Sequence, residues 1–133
     1  MDFNDFWLWQ FLGRLHPLIV HFPVGLLVFA GLLELLSIRN YESKWRAGIQ
    51  AMIWAGGLSA VFAAIAGFLL AENQGSSGEL LDLHKITGIA TAALSLIVIG
   101  LQYRADIQKT AQNIRLYRIS LLITLITLTV AGH

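Results

Sequence analysis

The chain has 133 residues, a hydrophobic content of 56%, 13% charged residues and a mean hydropathy of +0.68. Soluble domains carry about 25% charged side chains, so this composition excludes an ordinary soluble fold and points to one integral membrane domain, residues 1–133. The absence of cysteine excludes disulfides, thiolate ligands, iron–sulfur clusters and covalent haem attachment through C-x-x-C-H, and a net charge of +1 gives no reason to expect nucleic-acid binding.

Met1 to Asp5 is acidic where a signal peptide would be positive, so no cleaved leader is expected. Phe3, Phe6, Trp7, Trp9 and Phe11 then mix with Asp2, Asp5 and Arg14. Aromatic rings with a polar edge settle at the membrane–water boundary, which predicts a short N-terminal interfacial helix. The first span is expected at about residues 17–36, with Pro17 at its first position and Pro23 bending it beside His21. Glu34, the one acid inside a span, sits a turn from its end and is expected to reach the boundary.

A basic loop with Arg39, Lys44 and Arg46 leads to the second span, about residues 47–71. Its Gly56, Gly57, Ala60, Ala63, Ala64 and Gly67 would let another helix approach closely, or equally let it lie against a flat macrocycle. The stretch from Glu72 to Glu79 is rich in turn formers and acidic. The third span, about residues 83–103, carries His84 in its first turn. A second basic loop with Arg104, Lys109, Arg115 and Arg118 precedes the fourth span, about residues 116–132. Ser120, Thr124 and Thr127 there follow the helical repeat and are expected to bond across a helix interface.

The architecture is therefore all-α, an integral membrane four-helix up-and-down bundle. The two basic loops hold all of the Lys and Arg residues except Arg14 and Lys85. By the positive-inside tendency they face the cytoplasm, and both termini face the periplasm of a bacterial inner membrane. In that topology His16, His21, His84 and His133 gather in one layer. Imidazole commonly ligates metals, and an ionisable residue within a span is a functional candidate by default.

His21 is followed four residues on by Gly25, and His84 by Gly88. Positions four apart share a helix face, so each histidine has space cleared beside it. Two facing imidazoles with such notches would suit a haem b ligated by His21 and His84 in a bundle core. His16 lies about 140° around the helix from His21, so it would serve a second haem with His133, or contact propionates or a partner. The competing reading makes His16 and His133 solvated boundary residues and His21 a buried imidazole with an internal partner.

Gly13-Arg-Leu-His-Pro-Leu-Ile-Val-His-Phe-Pro23 marks the first span, Trp54 with Gly56, Gly57 and Gly67 the second, Leu83-His84 with Gly88 the third, and Gly132-His133 the end. On these residues, over nearly its whole length, the chain resembles a bacterial family of predicted membrane proteins. That family is a four-helix module often joined to periplasmic c-type cytochrome domains. The resemblance implies a haem-b or electron-transfer module beside haem c on the periplasmic side. Relatives of this kind continue past the last Gly-His, whereas this sequence stops at His133, so the c-haem partner is expected on a separate polypeptide, or the chain as a standalone subunit.

The expected function is a redox subunit passing electrons between the quinone pool and a periplasmic c-type cytochrome within a larger respiratory-type complex, with one haem b and room for a second. The alternative is a cofactor-free structural or assembly subunit that packs by its Gly and Ala faces. A copper or zinc site at His21 and His84 is the third reading, without a thiolate, methionine cluster or H-E-x-x-H pattern behind it. No serine or acid is placed with a histidine for hydrolysis.

Overall fold

The computed structural model describes residues 7–74 and 78–131, with side chains described at 11, 17–69, 71 and 78–131. Every regular element among them is an α-helix: α1 (Trp7–Leu36), α2 (Arg46–Gln74), α3 (Glu79–Gln108) and α4 (Ala111–Ala131). Each contains a stretch long and apolar enough to cross a membrane, the first being Pro17–Leu36. Twenty residues at about 1.5 Å rise span about 30 Å, the thickness of the hydrocarbon core. Large apolar side chains such as Phe22, Phe29, Phe62, Ile97 and Leu122 point outward on all four helices, as lipid-facing positions do.

The helices begin earlier than the apolar stretches alone suggest. The aromatic segment before the first span runs into it as one helix from Trp7, so Pro17 lies inside α1 rather than at its start, as does Pro23. Helix α4 starts at Ala111 and takes in Arg115. Between α3 and α4 only Lys109 and Thr110 remain, and Lys109 closes α3 in the left-handed conformation (φ 47°) with its N–H donating to Ala105 O at 2.8 Å.

Neighbours in sequence are neighbours in space, α1 on α2, α2 on α3 and α3 on α4, while α1 touches α4 sparingly. Leu27, Ala30, Ile49, Ile53, Val98, Tyr117 and Leu121 form the core, toward the end that carries the basic loops. The α2–α3 seam is tight at Gly57, where a Cβ would stand 2.7 Å from Ile99 Cδ1. At the α1–α4 seam a Cβ on Gly31 would stand 2.6 Å from Leu125 Cδ1.

The serine and threonine hydroxyls predicted to bridge helices from α4 do not do so. Ser120 donates to Tyr117 O, Thr124 to Ser120 O and Thr127 to Ile123 O, all within the same helix. The carbonyl of the preceding turn lies within reach without ordering a second helix, so the local acceptor wins. Thr87, Thr91 and Ser95 on α3 bond in the same way.

Candidate functional site

Because α1 and α4 barely meet, the bundle opens along that seam into a cleft of about 1570 Å³. This exceeds the roughly 300–1,000 Å³ of ordinary small-molecule sites. Ala60, Ala63, Ala64 and Gly67 of α2 supply a wall of small side chains, and Gly88 of α3 continues it. The small residues of α2 thus divide: Gly56 and Gly57 are packed against Leu27 and Ile99, whereas Ala60, Ala63, Ala64 and Gly67 line the cleft.

His21 of α1 and His84 of α3 both line this cleft, at one end of the bundle. His84 reaches the end of α4, its Nδ1 lying 3.0 Å from Ala131 O. His21 Nδ1 is bonded to Pro17 O, one turn back in α1. A carbonyl oxygen only accepts, so in each neutral ring Nδ1 carries the proton. That leaves the Nε2 lone pair of both rings available, and no side chain or carbonyl among the described residues occupies it. A backbone acceptor on the second nitrogen is the usual way an imidazole is oriented and its tautomer set for ligating a metal.

Gly88 borders the cleft, and a Cβ there would meet nothing within 4 Å. Gly25 also has open space around it but is not part of the cleft wall. The side chain of His16 and the whole of His133 lie outside the described residues. Lys85, next to His84, lines the cleft without an ion-pair partner among the described residues. No group of three or more His, Asp or Glu side chains converges among the described residues.

The opposite end is built differently. Glu34 is only 5% exposed and does not reach the boundary, contrary to the expectation from its place near the end of the span. Its Oε2 accepts from Arg46 Nη1 at 3.0 Å and Tyr117 OH at 2.8 Å, and its Oε1 from Arg118 Nε at 2.7 Å. Arg118 also donates to Ile38 O and Ser37 O, and Arg46 to Tyr41 O. A buried carboxylate is held where guanidiniums and a phenol compensate it, and these come from α2 and α4.

Tyr41 extends the network, donating to Asp106 Oδ1 at 2.5 Å, while Gln50 and Gln102 donate to Oδ2. Burial first, then the bond to Asp106 and its negative charge, hold the Tyr41 phenol above its ordinary range. Gln102 Oε1 and Arg46 Nη2 are buried without partners among the described residues. A second, smaller groove of about 480 Å³ borders this network, lined by Gln50, Gln102 and Asp106 together with Trp54 of α2 and Tyr103 of α3.

The cluster around Glu34 went unread in the sequence. Its one signal was an acid within a span, with Arg46 and Arg118 near the starts of the second and fourth spans. A family model described as a predicted membrane protein (DUF2231) matches residues 14–133. No curated protein and no solved structure matches the chain.

Proposed function

The chain belongs to this family of predicted membrane proteins, and we propose that it is a haem-b-binding electron-transfer subunit, with His21 and His84 as the residues that would hold the haem iron in the α1–α4 cleft. The observation that carries this reading is that two imidazoles from separate helices line one cleft, each with Nδ1 engaged by a main-chain carbonyl and Nε2 left free. The residues present fit a porphyrin in three further respects. The wall formed by Ala60, Ala63, Ala64, Gly67 and Gly88 suits a flat apolar face, Lys85 offers a cation for a propionate, and the cleft is large enough.

Bound there, haem would supply one-electron exchange, with the imidazoles of His21 and His84 holding its iron. The protein's own groups orient the two rings through Pro17 O and Ala131 O, and the cleft beside them is lined mainly by apolar side chains. With the basic loops toward the cytoplasm, the histidine end lies at the periplasmic face of a bacterial inner membrane. Electrons would then pass between the quinone pool and a c-type cytochrome of a respiratory-type complex.

The second reading is a cofactor-free structural subunit. It is favoured by the Gly57 contact and the Glu34 network, which hold the helices together without any group in the cleft. Copper or zinc at the same two histidines is the remaining reading, decided by metal analysis.

The test is the optical spectrum, oxidised and reduced, of the chain purified from haem-replete cells, with a pyridine haemochrome assay. A Soret band lost in both His21→Ala and His84→Ala is the expected result. Wild-type protein without a Soret band overturns the haem reading and leaves the structural one.

A further inference from the structure

The α1–α4 cleft does not end at the histidines. Its wall runs the length of the span to Arg39, Arg115 and Arg118 at the other end. Arg118 is committed, bonded to Glu34, Ile38 O and Ser37 O. Arg39 follows Ile38 directly, and Arg115 lies one turn from Arg118 toward the start of α4, so both border the same mouth. Both are exposed, and neither forms an ion pair among the described residues. Among the charged side chains that line the cleft at this end, three guanidiniums, Arg39, Arg115 and Arg118, stand against the one carboxylate of Glu34.

Arg39 lies three residues past the end of the Pro17–Leu36 span, which puts it at headgroup depth. Above it the cleft is lined by Leu32, Leu35, Ile119 and Leu122, apolar and open sideways through the α1–α4 seam. We propose that this end of the cleft binds an anionic phospholipid, with its phosphate between Arg39 and Arg115 and an acyl chain along the apolar wall.

The chemistry follows from three features. Guanidinium presents a planar fork that matches phosphate oxygens. Basic pockets between membrane helices are a recurring form of anionic-lipid site. The excess positive charge selects an anionic over a zwitterionic headgroup, and the apolar groove selects a lipid over free phosphate. Occupancy would also cover the one seam that the protein leaves open. The inference is independent of haem, because no imidazole takes part in it.

The test is native mass spectrometry of the full chain in detergent, titrated with phosphatidylglycerol or phosphatidylcholine. Phosphatidylglycerol adducts should exceed phosphatidylcholine adducts and weaken about tenfold or more in R39Q/R115Q. Millimolar inorganic phosphate should leave them in place. Arg104→Gln, which removes an exposed charge of α3 away from the cleft, should leave them unchanged, as should His21→Ala/His84→Ala. Equal adducts with both lipids, displacement by free phosphate, or an equal loss in Arg104→Gln would each overturn the proposal.

Discussion

A carboxylate only 5% exposed between two guanidiniums is stable as a set, because removing one member leaves the others charged and desolvated. Glu34→Ala should therefore destabilise the protein by about 3–5 kcal/mol in a detergent-denaturation titration, more than an apolar truncation of similar size on the lipid-facing surface. Whether Glu34 reaches the boundary or turns inward cannot be read from its place in α1, since its partners lie 12 and 84 residues away. Tyr41 gives a pH signature at the same end. Its folded pKa is raised, so its contribution is fully present below the ordinary phenol value of about 10 and is lost as pH rises above it. Thermal unfolding followed by circular dichroism should show a decline above about pH 10 that is shallower in Tyr41→Phe. His21 and His84 were legible as candidates because an imidazole in an apolar helix is conspicuous anywhere in a sequence. Their tautomers were not, because Pro17 O and Ala131 O set them.

The helices outrun their apolar cores at the element scale. Backbone hydrogen bonding continues past the hydrophobic stretch wherever nothing stops it, so α1 begins at Trp7 and α4 at Ala111. The α3–α4 connection is then two residues, and Lys109 must adopt φ 47°. A left-handed residue with a Cβ costs about 1–2 kcal/mol, a penalty glycine avoids. The Lys109–Glu42 ion pair offsets little of this, both side chains being more than half exposed. Lys109→Gly should therefore raise unfolding free energy by roughly 0.5–1 kcal/mol, measured by denaturant titration. A decrease would mean that the Glu42 contact matters more than its exposure implies. The expectation for Ser120, Thr124 and Thr127 failed at this scale, since helical spacing says which face a hydroxyl occupies but not which acceptor it takes.

For the whole molecule the decisive feature is the one open seam. Three helix pairs close on each other and the fourth leaves a cleft with imidazoles toward one end and guanidiniums at the other. Gly88 allows folding and cofactor binding to be separated, because a Cβ there meets nothing within 4 Å and the space beyond it is the cleft. Gly88→Leu should fold at least as well as wild type, gaining about 0.5–1 kcal/mol of helix propensity. On the haem reading proposed above, it should also bind haem roughly tenfold or more less tightly in a haem titration, because the added side chain would fill cleft space. A structural subunit would show the first effect alone.

Membrane residence, the number of helices and the alternation of their direction follow from the sequence by itself. Each rests on one-dimensional quantities: the length of apolar runs against bilayer thickness, and the count of charges in the loops between them. The placement of Glu34 inside the protein, the division of the small residues of α2 between packing and cleft, and the opening between α1 and α4 were decided only in three dimensions. They depend on which side chains from other helices arrive at a given depth and angle, and no local pattern encodes that meeting.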